Sequence, residues 1–299
     1  MAESHAPFFS VVIPTFNRKD FLVKTLNSLA IQSFPDYEVI VVDDGGNDGT
    51  DQMIAERKDP RITYIKVEKR ERGAARNAGT LQARGSYITF LDSDDLVYPD
   101  LLENAFGSLQ KYELPPFLHV AYEIISEDGK IIEKIDALAD DDHSLLEKGN
   151  PLSCIGAFLR RDTALEFPFN ESYDLSGSED WELWLRIVAN KGIKTDNRVS
   201  SALINHRTRS VMNPSLRNLT RRKDLALQFA FSDPMVEKVY RKSKNKIEGF
   251  AESYIALHLA LGGKRGNALG FLLKSIYRYP NIIFHKRPYV IFKRIIQGN

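Results

Sequence analysis

The amino-acid sequence predicts an α/β fold in which a mostly parallel, doubly wound sheet is followed by a C-terminal helical extension. In residues 8–112, short apolar runs of β-type residues alternate with stretches of helical periodicity. Nearly continuous apolar strands separated by helices indicate a parallel sheet covered on both faces. From about residue 216 onward the pattern is helical throughout, with breaks at Gly262-Gly263 and Pro280.

Four strand–helix units follow one another in the first half of the chain. We expect strands at 9–13, 37–42, 62–67 and 87–91, and helices at 18–31, 50–57, 72–84 and 99–112. Ligands of such sheets collect outside the carboxyl ends of the strands. The most polar segments of this half follow those ends, so we expect the functional site on that rim of the sheet.

The pattern changes after residue 112. In order, we expect a hairpin of 117–125 and 130–135 around the turn Glu127-Asp128-Gly129, a polar loop at 140–143, an apolar stretch at 155–159 and a helix from Ser178 to Gly192. Because the pattern is helical throughout from about residue 216 onward, we place a domain boundary near residue 215.

Bulk composition limits the classes of function. The 299 residues are 43% hydrophobic and 27% charged, as in folded globular proteins, and the formal net charge of +1 gives no indication of a nucleic-acid partner. Cys154 is the only cysteine, so we expect no internal disulfide and a small apolar role for this side chain. A single cysteine fits a reducing compartment, and the sequence shows neither the pattern of a signal peptide nor an apolar run long enough for a spanning helix. We therefore expect a cytoplasmic protein.

The charge is unevenly distributed along the chain. Residues 253–299 contain eight Lys or Arg and no Asp or Glu, so this basic tail carries +8 and the rest of the chain −7. Segments 266–279 and 281–296 mix these cations with bulky apolar and aromatic residues. Such a composition is typical of helices that lie at an anionic lipid surface. It is equally typical of a helical subdomain with a solvated basic face, and both interpretations stay open.

The segment "YITFLDSDDLVYPD" places Asp92 and Asp94 directly after a buried strand. Clustered carboxylates repel one another, so a cation or several hydrogen-bond donors are expected to share their space. Two carboxylates at i and i+2 leave coordination positions open, which suits Mn²⁺ or Mg²⁺ shared with a ligand's phosphates. The alternative is a solvated turn in which Asp95 caps the helix that begins near Pro99.

A second polar segment, "VVDDGGNDGT", follows the strand at 37–42. Its simplest interpretation is a tight turn in which Asp48 or Thr50 caps the next helix. The alternative is that one carboxylate accepts a hydrogen bond from a nucleobase N–H while Gly45 and Gly46 permit a close approach. The chain contains neither G-x-G-x-x-G after the first strand nor G-x-x-x-x-G-K-[ST], so a dinucleotide-binding or P-loop site is not supported.

Five motifs in order resemble the inverting, nucleotide-sugar-using glycosyltransferases of family 2, which have the A-type fold. The motifs span about residues 8–212 and are "SVVIPTFNR", "VIVVDDGGNDGT", "RGAARNAG", "GSYITFLDSDD" and "SGSEDWELWLR". Each motif is weak alone, and the five in register are specific. One departure is Gly45-Gly46, where the family commonly has Gly-Ser; it loosens the loop and removes no reactive group.

The resemblance implies a divalent metal, Mn²⁺ or Mg²⁺, that bridges the donor's diphosphate. Asp94 would bind this metal, and Asp92 would lie beside it. In related enzymes a histidine in the region of His206 can reach the metal or the diphosphate, although a lone histidine is more often structural. Arg207 and Arg209 could hold phosphate.

The resemblance also implies the contacts to the nucleotide sugar. They fall on Pro14, Thr15, Phe16, Asp44, Arg72, Arg76, Asp92 and Ser93. Asp44 would accept from the base N–H, which favours a UDP or dTDP donor. Lys69 and Arg70 belong to the same basic run and are further candidates for phosphate contacts.

Asp180 would be the general base of the transfer, with Glu179 in a supporting or acceptor-binding role. The alternative for both is purely structural, because acids in the first turn of a helix complement its dipole. Trp181 and Trp184 share one helix face. We expect at least one of them in the core and keep a sugar-stacking floor as an alternative for the other.

The resemblance thus implies a metal-dependent inverting glycosyltransferase that acts on a saccharide or lipid-linked saccharide acceptor in surface polysaccharide biosynthesis. The catalytic domain would be 1–215, with a nucleotide-sugar-binding half (8–112) and an acceptor-binding half (113–215), and 216–299 would be a basic helical extension. One rival is an idle nucleotide-sugar-binding or protein-interaction module of the same fold. The other is a nucleotidyltransferase, although "PTFNRKD" lacks the glycine-rich loop that this class would show.

Overall fold

The chain has the predicted α/β architecture in a computed structural model that describes residues 6–136, 138–140, 142–206 and 216–297. The strands in this part of the chain are β1 Phe9–Thr15, β2 Tyr37–Asp43, β3 Ile62–Lys66, β4 Tyr87–Phe90, β5 Leu96–Val97, β6 Phe117–Val120, β7 Tyr122–Ser126, β8 Ile131–Ile135, β9 Ala157–Arg160, β10 Lys194–Asp196 and β11 Ser201–Asn205. The four strand positions predicted for the first half are therefore confirmed.

Helices cover the sheet and form the C-terminal part of the chain. The described α-helices are α1 Lys19–Ala30, α2 Thr50–Arg57, α3 Arg72–Gln82, α4 Leu101–Lys111, α5 Arg161–Glu166, α6 Glu179–Lys191, α7 Leu216–Ala230, α8 Pro234–Tyr240, α9 Lys244–Leu261, α10 Arg265–Arg278 and α11 Lys286–Gln297. Short 3₁₀ turns lie at His143–Lys148, Cys154–Gly156, Tyr173–Leu175, Arg241–Ser243 and Pro280–Phe284. The breaks predicted at Gly262-Gly263 and Pro280 separate α9, α10 and α11.

Within the described residues, seven strands form the main sheet in the order β10-β6-β9-β4-β1-β2-β3. β1 runs parallel to β2 and to β4, and β2 runs parallel to β3. The register pairs Thr15 of β1 with Asp43 of β2, so the carboxyl ends of these two strands coincide. The segments that follow β1, β2 and β4 therefore meet at one rim, as the sequence predicts.

Helix α3 packs closely on the central strands because its inner face carries small residues. Gly79 faces β1, and a Cβ at this position would lie 2.3 Å from Cγ1 of Val12. No real side chain fits at that distance, so the helix can approach the sheet only with glycine here. This close packing fixes the position of the first turn of α3 relative to the sheet. That turn lies at the carboxyl-end rim of the strands.

The hairpin predicted for 117–125 and 130–135 is confirmed only in part. β7 and β8 pair antiparallel around Gly129, but the run 117–125 is two strands in two sheets. Ala121 is the break: its N–H bonds to the carbonyl oxygen of Asp196 at 2.7 Å, and its own carbonyl accepts from Ser200 N–H at 3.3 Å. β6 joins the main sheet, whereas β7 joins β5, β11 and β8 in a second sheet.

The apolar stretch at 155–159 forms β9, which runs antiparallel between β4 and β6. Periodicity alone does not reveal the direction of a strand, which explains why the sequence did not predict this feature. The acidic loop at 140–143 contacts β10 in part: Asp140 accepts from Thr195 N–H at 2.9 Å. Asp142 caps a 3₁₀ turn, and residue 141 lies outside the described residues.

Two apolar layers enclose the main sheet. One face packs against α1 and α4, and the other packs against α3 and α6. The second layer continues into the C-terminal helices, because Leu227, Val236 and Ile247 belong to the same buried cluster as Trp184. Helices α7, α8 and α9 therefore share a core with the sheet, while the proposed boundary near 215 stays a prediction.

A third apolar cluster lies among α7, α9, α10 and α11. Its buried members include Ile255, Leu272 and Ile291. Among the residues that the structure describes, no helix has both the length and the hydropathy needed to cross a bilayer.

Candidate active site

A cleft of about 190 Å³ opens at the carboxyl ends of β1, β2 and β4. Its lining residues are Pro14, Thr15, Phe16, Arg18, Asp44, Lys69, Glu71, Arg72, Ala75, Asp92, Ser93 and Asp94. Most of the residues to which the resemblance assigns donor or metal contacts thus meet in one cavity. Arg76, Glu179, Asp180 and His206 lie below or beside it.

Three carboxylates converge on the floor of the cleft. Asp92, Asp94 and Asp95 each offer one oxygen, and these oxygens lie within 4.8 Å of one another. The turn that carries them is held from α1: the Thr25 hydroxyl lies 2.9 Å from the carbonyl oxygen of Ser93 and 2.8 Å from that of Asp95. Hard oxygen ligands at this spacing fit Mn²⁺ or Mg²⁺.

Asp95 does not cap the following helix, which corrects the alternative interpretation of this turn. Its Oδ1 accepts from the N–H of Ile204, at 3.1 Å, and α4 begins at Leu101 with no side-chain cap. Asp95 is 2% exposed, and its hydrogen bond to Ile204 connects the carboxylate cluster to β11.

Asp94 is 3% exposed and has two cationic or polar neighbours. Its Oδ2 forms an ion pair with Arg18 and lies 2.9 Å from Nε2 of His206. The His206 ring stacks on Phe21, with ring centroids 4.8 Å apart and an interplanar angle of 26°. His206 thus reaches the predicted metal residue from the end of β11, whereas Arg207 and Arg209 lie outside the described residues.

Arg18 is a site residue that the sequence analysis did not single out. The available signal was its position in "PTFNR", directly after the carboxyl end of β1. Glu71 was also missed: it lines the cleft and has a φ of 87°, a backbone conformation that costs a non-glycine residue about 1–3 kcal/mol. Its Oε2 accepts from the Ser176 hydroxyl at 3.0 Å.

Asp44 shapes the wall of the cleft opposite the carboxylate cluster. Its two oxygens accept from the backbone N–H groups of Arg70 and Glu71, at 2.8 and 2.9 Å. Burial raises the pKa of Asp44, and these two hydrogen bonds act against that rise. Lys69 is held in the same wall, with its Nζ 3.6 Å from the ring centroid of Phe16.

The predicted tight turn after β2 is present as well. Asp48 accepts from Thr50 N–H and from Lys19 N–H, at 3.2 and 2.7 Å, so it ties the start of α2 to the start of α1. The N-cap position of α2 is Gly49, which has no side-chain cap. Gly46 N–H donates to Asp43 Oδ1 at 2.7 Å, which closes the turn from within. The Gly45-Gly46 departure thus leaves a defined turn.

Arg76 lies beneath the cleft and joins its two acidic groups. It is 1% exposed, with Nη2 at 2.7 Å from Asp92 Oδ1 and Nη1 at 2.8 Å from Glu179 Oε1. Its guanidinium also lies 5.1 Å from the ring centroid of Phe169. Arg72, one turn earlier on α3, lies at the surface of the cleft with Nε 3.7 Å from Glu179 Oε1.

Glu179 and Asp180, at the start of α6, have opposite electrostatic environments. Burial alone would raise the pKa of Glu179, but Arg72 and Arg76 outweigh it and hold that pKa below its ordinary value. Burial, followed by the negative charge of Glu179, raises the pKa of Asp180 to about 6. The pair therefore combines a carboxyl whose pKa is held below its ordinary value with one whose pKa is raised to about 6.

Neither tryptophan of α6 offers a surface for a sugar ring. Trp181 is 8% exposed and Trp184 is fully buried. Their Nε1 atoms donate to the carbonyl oxygens of Leu146 and Leu152, at 3.4 and 3.1 Å. The sugar-stacking floor considered for one of them is therefore wrong, and core packing applies to both. Cys154 is 5% exposed and packs in the same core, as predicted.

Sequence comparison identifies the family to which this site belongs. A family model described as Glycosyl transferase family 2 matches residues 10–158. The chain is 30% identical over 189 residues to UDP-Glc:alpha-D-GlcNAc-diphosphoundecaprenol beta-1,3-glucosyltransferase WfgD of Escherichia coli. The alignment covers 63% of this chain and 72% of that protein. The chain belongs to glycosyltransferase family 2. This assignment favours sugar transfer over the nucleotidyltransferase alternative.

Several relatives of this family 2 member are longer than the chain itself. It is 29% identical over 305 aligned residues to an uncharacterized glycosyltransferase of Rickettsia felis, covering 97% of this chain and 45% of the relative. Its matches to relatives from Rickettsia conorii and Rickettsia bellii cover 34% and 19% of those proteins. The chain thus spans less than half the length of these rickettsial relatives.

Solved structures share the fold of this family 2 member. TarS 1–349 of S. aureus in complex with UDP-GlcNAc matches with a TM-score of 0.60 at 19% identity, covering 90% of this chain and 91% of that one. The mannosyltransferase PcManGT from Pyrobaculum calidifontis, in complex with GDP-Man and Mn²⁺, matches with a TM-score of 0.59 at 18% identity, covering 99% and 89%. At these identities the likeness shows the fold alone, and it confirms the A-type architecture.

Proposed function

We propose that this family 2 member is a metal-dependent, inverting glycosyltransferase. It moves a sugar from a nucleotide diphosphate sugar to a hydroxyl of a saccharide or lipid-linked saccharide, in the biosynthesis of a surface polysaccharide. The observation that carries the proposal is that Arg76 binds Asp92 and Glu179 together, at 2.7 and 2.8 Å. This contact holds the donor-side acids and the acid pair of α6 in one site.

The donor lies in the cleft of this proposal. Pro14, Thr15 and Phe16 line the pocket for base and ribose, and Asp44 accepts from the base N–H. Both Asp44 oxygens already accept one backbone N–H, and each carboxylate oxygen keeps a second lone pair for this contact. An N–H donor at that position suits uracil or thymine, so we propose a UDP or dTDP sugar. The name of the relative WfgD, a UDP-Glc enzyme, agrees with this choice.

The diphosphate end of the donor faces the carboxylates and the cations of the cleft. Asp92 and Asp94 would hold a divalent ion, with His206 beside them, and Ser93 would contact the nucleotide sugar. A bound divalent cation stabilises the negative charge that grows on a departing diphosphate. Arg18 and Arg72 line the same cleft and add positive charge around that group.

The acceptor side of the reaction falls to the acid pair of α6. Asp180 takes the proton of the acceptor hydroxyl while its oxygen attacks the anomeric carbon, and the bond from that carbon to the diphosphate breaks. A pKa of about 6 leaves Asp180 mainly ionised at pH 7 and still basic enough to accept a proton. Glu179 stays ionised and positions Arg76, and Arg76 in turn positions Asp92 without reaching the cleft itself.

The rival proposal is an idle module of the same fold, which binds a nucleotide sugar or a partner protein without turnover. A panel of nucleotide sugars, assayed for Mn²⁺-dependent release of nucleoside diphosphate, separates the two. We expect release with at least one donor by the wild type and loss of release in Asp94→Ala. No release from any donor by the wild type, together with tight binding of a protein partner, would favour the idle module.

We also propose that the basic extension contacts an anionic membrane surface from the cytoplasmic side. In support, α10, α11 and the turn between them expose large apolar side chains among the cations of the tail. Tyr277 is 89% exposed, Phe284 83% and Tyr289 71%. Aromatic and apolar groups interleaved with Lys and Arg suit the interface of an anionic bilayer, where a lipid-linked acceptor would be found.

A further inference from the structure

The C-terminal extension reaches the proposed general base, although the family model ends at residue 158. Helix α7 packs against α6 and against the turn Tyr173–Leu175 that precedes it. An ion pair between Arg221 and Asp174 joins α7 to this turn. The start of α6, which includes Asp180, therefore has α7 as a neighbour.

Arg222 is the α7 residue that faces this junction. A Cβ at Gly177 would lie 3.0 Å from Nη1 of Arg222, and Gly177 has a φ of 92°, which a side chain would strain. The glycine thus lets the guanidinium lie against the backbone three residues before Asp180. Among the described ranges, with their gaps at 137, 141 and 207–215, Arg222 has no carboxylate within ion-pair distance.

Tyr254 lies on α9, which packs on α7 next to Arg222: Lys223 Nζ lies 3.7 Å from Glu252 Oε1, and Leu219 and Ile255 share one buried cluster. Tyr254 is 40% exposed, and its ring lies 4.3 Å, centroid to centroid, from that of His258. Burial raises the pKa of its hydroxyl; Asp180 raises it further, whereas Arg287 and Arg222 act in the opposite direction. These directions agree with the packing of α9 on α7, which brings Tyr254 to the same end of α7 as Arg222.

Arg287 forms the back of this group. Its Nη1 donates to the carbonyl oxygen of Phe250, at 3.2 Å, and to the Ser253 hydroxyl, at 3.1 Å. These bonds fix the guanidinium against α9. Its positive charge acts on the Tyr254 hydroxyl. Arg222 is the cation that remains available to a ligand.

We propose that Tyr254 and Arg222 form an acceptor subsite for a saccharide that carries an oxyanion, as a phosphate or a carboxylate. The proposal rests on the glycosyltransferase function proposed above. The acceptor hydroxyl must lie at Asp180. Its neighbour Glu179 contacts Arg72 and Arg76 of α3, and Oε2 of Glu179 accepts from the N–H of Gly177 at 2.5 Å, the residue against which Arg222 lies. Arg222 therefore borders this acid pair from the extension, where an acceptor bound at Asp180 would meet it.

The chemistry of the two side chains identifies the class of acceptor. A partly exposed aromatic ring offers a sugar an apolar face with a polar edge. A guanidinium binds phosphate or carboxylate through parallel N–H groups. Because Glu179 and Asp180 repel an anion, an anionic acceptor can approach the base only if a cation such as Arg222 offsets that repulsion.

The test compares charged and neutral acceptors in Arg222→Gln. The acceptors are N-acetylglucosaminyl phosphate, a glucuronic acid glycoside and neutral methyl N-acetylglucosaminide, and acceptor-independent donor hydrolysis is measured beside transfer. We expect kcat/KM with the charged acceptor to fall about tenfold or more, since a charged hydrogen bond is lost. The neutral acceptor should change less than about twofold on the same scale. Loss with the phosphate alone or the uronate alone identifies the source of the oxyanion.

Two further variants make the result specific. Arg222→Lys should restore part of the transfer to charged acceptors, and Arg241→Gln, which removes an exposed arginine from the turn before α9, is the matched control. Tyr254→Ala should lower transfer to charged and neutral acceptors alike. Thermal unfolding of each variant separates loss of the subsite from loss of the fold.

The failure of this inference is distinct from the failure of the proposed function. Absence of donor hydrolysis in the wild type overturns the function, whereas hydrolysis with equal losses for charged and neutral acceptors in Arg222→Gln overturns the subsite alone. Calorimetric binding of N-acetylglucosaminyl phosphate and of the glucuronide needs no turnover. If neither binds, or if both bind equally well to the wild type and Arg222→Gln, the subsite is also overturned.

Discussion

Arg76 and Glu179 are 103 residues apart in the chain and form a buried ion pair, with Nη1 2.8 Å from Oε1. The same guanidinium binds Asp92 at 2.7 Å, so one side chain of α3 holds the acids of the cleft and of α6. Arg76 is 1% exposed, and it acts on the site through the two carboxylates that it positions.

Removal of Arg76 should damage both stability and activity. Arg76→Ala leaves Glu179 buried without its closest cation, and breaking a buried pair in this way costs about 3–5 kcal/mol. The free energy of unfolding, from urea titration, measures this loss. Arg160→Ala is the control, because its partner Asp162 is at the surface and such pairs contribute about 0–1 kcal/mol. Equal losses in the two variants would show that Arg76 has no special structural role.

Asp180→Asn should abolish most transfer and leave donor binding intact. The amide cannot accept the hydroxyl proton, and a general base contributes about 10²–10⁴-fold to the rate. The measurements are kcat for transfer and the calorimetric affinity for the nucleotide diphosphate. Asp224→Asn, at an exposed position on α7, is the matched control. A variant with near-normal kcat would exclude Asp180 as the base.

The rate of transfer should rise with pH through about 6. The pKa of Asp180 is raised to about 6 by burial and by the charge of Glu179. Below this pH the carboxyl is protonated and cannot act as a base, so kcat should fall about tenfold per pH unit. Glu179 keeps a pKa below its ordinary value and stays ionised over that range. A pH profile that is flat from 5 to 8 would contradict the assignment.

The basic extension should bind anionic vesicles. We expect co-sedimentation with vesicles that contain phosphatidylglycerol, little with pure phosphatidylcholine, and a decrease at high salt because the attraction is screened. Lys286→Glu with Lys293→Glu should weaken binding, since each basic residue contributes about 1 kcal/mol. Lys58→Glu, after α2, is the control. Equal binding to both vesicle types would contradict the membrane proposal.

The sequence predicts the first half of the fold well and the second half only in part. Apart from the short strand β5, which was not predicted, the strands and helices of residues 9–112 end within two residues of their predicted positions, because near-continuous apolar strands alternate with clear helical patterns. The change of sheet at Ala121 and the antiparallel direction of β9 depend on partners that are distant in the chain. Local periodicity contains no information about those partners.

The candidate site shows the same division. Motif positions predict that Asp44, Asp92 and Asp94 share a cleft, because strand ends fix them. They do not predict that Arg76 lies beneath that cleft or that Arg18 forms an ion pair with Asp94. Burial of a charged side chain is decided by contacts across 16–103 residues, and only the folded chain brings those groups together.

The central claim is that the acids of the cleft hold a divalent ion together with a nucleotide diphosphate. Calorimetric titration of the nucleotide diphosphate, with and without Mn²⁺, tests it directly in the wild type and in Asp94→Asn. The claim predicts that Mn²⁺ tightens binding to the wild type about tenfold or more, equivalent to about 1.4 kcal/mol, and has little effect on the variant. Equal affinity of the wild type with and without Mn²⁺ would contradict it.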